Sequence, residues 1–390
     1  MAASVSEWRV GRPLAHARRY LRRHLCLAAL IASLHPAAEP IRIGELESLT
    51  GREAGLGQSS RRGFALAVEV LNARGGVLGR PLELVIEDVH SKAGEAATAA
   101  KKLIARDKVV ALLSGGTSTN SMEAAPICQA AQVPLLASAS THPQLTAMGT
   151  YVFRACFIDS FQGAVIARLA RDRLGLTRVA VLAAKSSAYS DGLAREFTRG
   201  FTAAGGKTSG QWHYTEGEKD FRAQLTTIRA RRPEAIFVPG YSTEAALICQ
   251  QARELGLNMP LLGGDGWESP ELLAIGAKAT EGTYYVSHFA PDRLAPEVQE
   301  FVQKFRAKYS GETPNGGSAL AYDAALLLAD ALRRAGTTEG PKLRAALAAT
   351  KNFPGATGLT TIDAQRNAAK SAVVVTVRGG RPEFFHSISP

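Results

Sequence analysis

The chain of 390 residues carries 46% hydrophobic and 7% aromatic side chains and a formal charge of +11. It is long enough for two ordinary domains, each with its own core, and its apolar content excludes a fibrous or disordered chain. Six arginines between Arg9 and Arg23 face a single acid, Glu7, within the first 38 residues, so the rest holds 40 basic and 34 acidic side chains, and with no basic run interleaved with aromatics it does not support nucleic-acid binding.

The N-terminus has the three parts of a secretory signal: an arginine-rich start through Arg23, an apolar stretch Leu25 to Leu34, and small residues at Ala37-Ala38. Ten residues are too few for a permanent bilayer anchor. A signal peptide over 1–38, cleaved after Ala38, places the mature protein in the periplasm, secreted across the inner membrane. The alternative is a basic tail on a cytoplasmic protein. A lipoprotein signal at Cys26 would follow Arg23-His24-Leu25, which lacks the small residues such processing wants.

Strand-length apolar runs then alternate with helical patterns. Strands are predicted at Ile41 to Glu47, Leu82 to Glu87, Val109 to Ser114, Pro134 to Ala137, Arg178 to Ala183, Gln211 to Tyr214, Ala235 to Pro239 and Pro260 to Gly263. Between them helices are predicted, among them Arg62 to Asn72, Glu95 to Ala105, Ser160 to Leu174 and Ala188 to Ala204. Gly75-Gly76 and Gly205-Gly206 mark the ends of two of these helices. After Ala290 come helical stretches at Pro296 to Tyr309, Ser318 to Ala335 and Pro341 to Ala349, then a strand-like tail at Gly358 to Ile362, Ala372 to Arg378 and Glu383 to Ser387. This alternation is the signature of α/β architecture, with open parallel sheets covered by helices on both faces.

An internal repeat divides the chain. Glu123-Ala-Ala-Pro-Ile-Cys-Gln129 recurs as Glu244-Ala-Ala-Leu-Ile-Cys-Gln250, and each copy is followed by a Pro-Leu-Leu strand, at Pro134 and Pro260. Cys128 and Cys249 hold equivalent positions, which reads as small buried apolar residues. With Cys156 the mature chain would hold an odd number of thiols, which cannot all pair internally. No pair has metal-ligand spacing, and no metal or cofactor is expected.

In open α/β sheets ligands bind beyond the carboxyl ends of the strands. In the first half those tips are neutral: Gly115-Gly116-Thr117-Ser118-Thr119-Asn120-Ser121, and Ser138-Ala139-Ser140-Thr141. Hydroxyls and helix N-terminal amides there suit a carboxylate, although the same residues also serve as N-caps and turns. In the second half Asp265 stands between two glycines, with Tyr189 and Tyr241 after neighbouring strands. A carboxylate walled by tyrosines suits an ammonium, and a plain turn residue is the alternative for Asp265.

These residues reach a known family. Ile41-Arg-Ile-Gly44, Ala73-Arg-Gly-Gly-Val-Leu-Gly-Arg-Pro-Leu82, Ser118, Thr141 before Pro143-Gln-Leu-Thr146, Tyr189-Ser-Asp-Gly-Leu-Ala194 and Gly263-Gly-Asp-Gly266 resemble the leucine/isoleucine/valine-binding proteins of bacterial ABC importers. The similarity runs in one order from about residue 40 to about residue 350. It implies the type I periplasmic-binding-protein fold, two doubly wound lobes with a hinge, expected here as 40–157 plus 288–355 and 158–287 plus 356–390, joined by about three crossovers. It also implies an amino-acid ligand, branched-chain or related, delivered to a membrane permease with ATPase subunits, and no catalysis.

By position, the resemblance assigns the ligand carboxylate to Ser118, Thr141 and the backbone of Gly116 and Ala139. The amine goes to Asp265 with Tyr189 and Tyr241. Leu56, Ser140, Trp267 and Tyr322 are the candidates for the side-chain pocket. Many relatives have glutamate where this chain has Asp265, leaving room for a different amine position or a larger ligand. The disulfide of some relatives has no counterpart, since His90 and Thr117 stand near those positions.

Other readings are weaker. Gly55-Leu-Gly57-Gln-Ser-Ser60 approaches a dinucleotide fingerprint but has serine for the third glycine, and Asn120 spoils a nucleophile elbow at Gly116-Thr-Ser118. None of the eight histidines is expected at a strand tip with serine and aspartate partners, which argues against an enzyme. A periplasmic sensor of the same fold, binding an amide or an aromatic acid, is the stronger rival.

Overall fold

The structure is a computed structural model that describes residues 38–389 together with Met1, so the expected signal peptide falls, but for its two ends, outside the described residues. A first sheet joins β1 (Ile41–Glu47), β2 (Leu82–Asp88), β3 (Leu112–Ser114), β4 (Leu135–Ala137) and β5 (Val152–Arg154) in the order β2-β1-β3-β4-β5, all parallel. A second sheet repeats this arrangement with β6 (Arg178–Ala184), β7 (Lys207–Tyr214), β8 (Ala235–Val238), β9 (Leu261–Gly263) and β10 (Tyr284–Ser287), ordered β7-β6-β8-β9-β10. After the small hairpin of β11 (Thr361–Ile362) and β12 (Ala368–Ala369), the antiparallel pair β13 (Ala372–Arg378) and β14 (Arg381–Ile388) extends the second sheet beside β10.

The two doubly wound lobes are copies of one unit down to single hydrogen bonds. Glu123, on the helix Ser118–Ala131, accepts the Gly94 amide at 2.9 Å, and Glu244, on the helix Ser242–Glu254, accepts the Gly217 amide at 2.9 Å. Each glutamate ties its helix to a loop in its own lobe. Cys128 and Cys249 are free and fully buried, as small apolar residues of the two cores.

Strand and helix positions follow the apolar periodicity, with informative exceptions. The first long helix begins at Ala54, well before Arg62, although Gly55 and Gly57 lower helix propensity. Packing overrides propensity there, because a side chain at Gly57 would overlap the Ser48 backbone. The predicted helix from Ser160 is a helix over Asp159–Arg168 continued by a π-helical turn, Leu169–Arg173. Three short strands, β5, β10 and β12, lie outside the predicted ones; at two to four residues they are too brief to display a period.

The expected lobe boundary after residue 355 needs correction. Ala356, Ile362 and Ala368 pack into the apolar core of the first sheet, and Arg154 donates its amide to the Arg366 carbonyl at 3.2 Å. Asp323 anchors the segment by accepting the amides of Ala356 and Thr357, each at 2.8 Å. The chain therefore returns to the second sheet only near Lys370, whose buried ammonium donates to the Ala155 carbonyl at 3.2 Å. The other two passages between the sheets lie after β5 and after β10.

Candidate functional site

The carboxyl ends of the central strands of both sheets converge on one cavity of about 50 Å³. Leu56, Ser60, Gly115, Gly116, Thr117, Ser118, Ala139, Gly317 and Leu320 line it from one side, and Tyr189, Tyr241, Asp265, Gly266, Glu268 and His288 from the other.

On the first side β3 ends and its helix begins within four residues, because Thr117 caps the helix by accepting the Asn120 amide at 3.3 Å. That turn brings Gly116, Thr117 and Ser118 to the cavity with the positive end of the helix dipole behind them. The loop after β4 is held from below: buried Arg154 donates to the carbonyls of Ser140 at 2.8 Å and His142 at 2.7 Å. Ala139 thereby reaches the cavity.

On the second side Asp265 organises the polar groups. Its Oδ1 accepts from the Tyr189 hydroxyl at 2.8 Å and from Gln162 Nε2 at 3.0 Å, and its Oδ2 faces His288 Nε2 at 3.0 Å. The Tyr189 hydroxyl in turn accepts the Gly266 amide at 3.0 Å, and its ring stacks on Tyr241 with centroids 5.1 Å apart. Glycine is required on both sides of Asp265, since a side chain at Gly264 or Gly266 would collide with Tyr189.

Burial sets the protonation of this group. It pushes the Tyr189 phenol well above its usual range, so the hydroxyl remains a donor to Asp265. It also lifts Asp159 well above the carboxylate range, reinforced by the charge of Asp265, and Gln162 Nε2 bridges the two carboxyls, 3.1 Å from Asp159 Oδ1. Burial lowers His288 against the pull of Asp265, which keeps the imidazole neutral. Its ring stacks on Phe157 with centroids 3.6 Å apart, joining two of the three passages between the lobes. Glu268 is raised by burial to about 8, and it accepts the Gly316 amide of the first lobe at 2.7 Å. The lobes also meet at the rim, where Arg52 pairs with Glu216 at 3.5 Å.

Of the residues expected from the sequence, Leu56, Gly116, Ser118, Ala139, Tyr189, Tyr241 and Asp265 line this one cavity. Three of the side-chain-pocket candidates do not. Ser140 is buried beneath the tips, sharing a hydrogen bond of 2.6 Å with Ser121. Trp267 turns into the core of the second lobe, where Nε1 donates to the Val238 carbonyl at 2.9 Å. Tyr322 packs on Phe301 in the core of the first lobe, on a helix face away from the cavity. Thr141 is buried beside Asp159, whose amide donates to its carbonyl at 2.9 Å, and it does not reach the cavity wall.

Gln162, Asp159, Glu268 and His288 escaped the sequence reading. His288 follows β10 directly and bonds Asp265 at that strand tip, but its Nδ1 has no hydrogen-bond partner, so it does not join a serine to the aspartate. Recognising β10 would have found it. Gln162 and Asp159 lie on a helix at one of the lobe passages, where no strand-tip argument looks. Among the described residues no group of three or more His, Cys, Asp or Glu side chains is arranged to hold a metal ion, and no helix is long and apolar enough to cross a membrane.

Two facing α/β lobes that enclose a small polar cavity between their strand tips define a solute-binding architecture, and the sequence profile described as "periplasmic binding protein" matches residues 40–381. The chain belongs to that family. It is 30% identical over 353 residues to a Leu/Ile/Val-binding protein homologue of Brucella abortus, covering 90% of this chain and 94% of the relative. The crystal structure of a leucine-binding protein from Thermotoga maritima superposes with a TM-score of 0.87 at 38% identity, covering 90% and 99% of the two chains. A branched-chain amino-acid transporter substrate-binding protein from Streptococcus pneumoniae, solved with isoleucine, gives 0.85 at 32% identity over 90% and 100%.

Proposed function

We propose that this protein captures an amino acid between its lobes in the periplasm and delivers it to an ABC importer. One observation carries the reading: the cavity has opposite polarity on its two walls. The ligand carboxylate meets neutral donors at Gly116, Thr117, Ser118 and Ala139, backed by the helix N-terminus. Thr141 supports that wall from behind through its contact with Asp159. The ammonium meets Asp265, oriented by Tyr189, Gln162 and His288, with Tyr241 stacked behind Tyr189. Since each lobe contributes half of the partners, the ligand favours the closed arrangement.

The lobes of this reading are 40–155 with 290–370, and 158–287 with 372–389. The isoleucine complex of the Streptococcus pneumoniae relative supports an amino-acid ligand, and the description of that relative as a transporter protein supports a permease with ATPase subunits as the partner. The protein itself binds and releases without chemistry. A thermal-shift screen of the purified protein against amino acids, amides, aromatic acids and sugars tests this. Stabilisation by an amino acid, followed by saturable binding in calorimetry, is the expected result. A response only to an amide or an aromatic acid would overturn the ligand class and leave the fold intact.

A further inference from the structure

Two carboxyls of the second lobe end against glycines of the first. Glu268 and Glu271 follow Asp265 on the same tip, and each is held within its own lobe. Either oxygen of Glu268 stands 2.8 Å from Ser287 Oγ, and Ser269 Oγ donates to Glu271 Oε2. From there they cross to the other lobe: a Cβ on Gly316 would overlap the Glu268 carboxyl, and a Cβ on Gly55 would overlap that of Glu271. These glycines stand in the first turns of two helices, Gly316–Ala335 and Ala54–Ala73, which Asn315 Nδ2 ties together by donating to Ser59 Oγ at 2.9 Å. The Gly316 amide, too early in its helix to find a partner there, donates to Glu268 Oε1 at 2.7 Å.

Other glycines on these helices serve their own lobe. Gly57 faces the Ser48 backbone, and a Cβ on Gly63 would overlap the Ser318 carbonyl where the two helices cross. For Gly55 and Gly316, in contrast, the three atoms nearest to an added Cβ all belong to the opposite lobe. Neither residue has a positive φ that would require glycine, and neither lines the cavity. We propose that Gly316 and Gly55 are the seat on which the second lobe closes, with Glu268 as the principal contact, so that these two positions set solute affinity without touching the solute. This rests on the reading that the lobes close around a solute. Glu268 donates its amide to the Asp265 carbonyl at 3.0 Å across the turn Asp265–Trp267, so the carboxylate that meets the ammonium and the carboxyl that meets Gly316 move as one body. Closing on a bound amine brings Glu268 onto the helix start, and a methyl at residue 316 holds the lobes apart.

Calorimetry with isoleucine, alanine, asparagine and benzoate compares wild type with Gly316→Ala, using whichever of the four binds wild type most tightly. Affinity should fall at least ~10-fold, because the buried Glu268 carboxyl has no free space to move into. Denaturant unfolding without solute should show a protein no less stable than wild type, since alanine suits a helix better than glycine. In a Glu268→Ala background the same change should cost less than about twofold, because the group it meets is gone. If Gly316→Ala does not fold, Gly55→Ala carries the comparison; Glu271 is half-buried and yields in part, so a ~3-fold loss of affinity at undiminished stability is expected. A folded Gly316→Ala protein that binds within about threefold of wild type, an equal cost in both backgrounds, or unchanged affinity in Gly55→Ala would overturn the seat and leave the solute-binding reading standing. Parallel losses of affinity and solute-free stability would also overturn it, since packing inside one lobe lowers both. Binding of benzoate alone would overturn the amino-acid ligand and leave the comparison of variants intact, and no binding of any of the four would overturn both readings.

Discussion

Replacing Asp265 with alanine tests the polarity of the cavity most directly. The carboxylate is 8% exposed and holds the Tyr189 hydroxyl, Gln162 Nε2 and His288 Nε2. Without it a bound ammonium loses its counter-charge in a desolvated site, and the three protein donors lose their acceptor. Breaking a buried charge pair costs ~3 kcal/mol or more, which corresponds to roughly 150-fold in Kd. The loss of folding stability should be smaller, because Asp159, whose proton affinity is raised by burial and further by the charge of Asp265, is relieved of a neighbouring carboxylate. Titration calorimetry with whichever amino acid gives the largest thermal shift measures the first quantity, and denaturant unfolding the second. An Asp265→Ala protein that stays folded and binds the same amino acid within about threefold of wild type would refute the assignment, since less than ~1 kcal/mol is not a buried ammonium–carboxylate contact.

Other outcomes follow from neighbouring geometry. Tyr189→Phe keeps the stack on Tyr241 but removes the hydroxyl that donates to Asp265 and accepts from Gly266, so affinity should fall by ~1.5–3 kcal/mol in calorimetry, with no loss predicted from stacking. Gly264→Ala places a methyl against the Tyr189 hydroxyl and should weaken both stability and binding, by ~1–3 kcal/mol in unfolding experiments. Trp267→Phe should lower stability and leave ligand preference unchanged, because the indole belongs to the core and bonds Val238; altered preference at unaltered stability would return Trp267 to the pocket. Burial pushes Glu268 from the ordinary glutamate range near 4.5 up to about 8, so its protonated form favours the fold at low pH and that contribution fades as pH rises from 4.5 through 8. Unfolding free energies at pH 5 and pH 8 should therefore drop more steeply in wild type than in Glu268→Gln, by up to about 1.4 kcal/mol per pH unit, and parallel profiles would count against the assignment.

The repeat at Glu123 and Glu244 was visible in the chain because the two copies keep one structural job, receiving the amides of Gly94 and Gly217. Such local roles, together with apolar periodicity and glycine at helix ends, leave their mark within a dozen residues. The strand-tip rule then led from the sequence to Gly116, Ser118, Tyr189, Tyr241 and Asp265, which lie together in one cavity. Aligning the Pro-Leu-Leu strands sets Asp265 opposite Ala139, so the divergence of the copies at their ligand-facing ends was also legible.

What the chain could not disclose alone is which way a side chain at a tip turns, and what lies beside it from elsewhere. Trp267 is two residues from Asp265 yet enters the core, because Gly263 leaves room for an indole under the strand and Val238 offers a carbonyl. His288 and Gln162 come to Asp265 from 23 and 103 residues away in sequence. Glu47 reads as an ordinary acid on an edge of a strand until folding sets it behind Gly115, 68 positions further on. The sequence by itself determined the α/β unit, its duplication and the opposed polarity of the two lobes, since these depend on local period and on residue type at strand ends. Only the tertiary structure decided the lining of the cavity, because lining is a matter of long-range packing, and packing is where a buried carboxyl or imidazole finds a partner or is left without one.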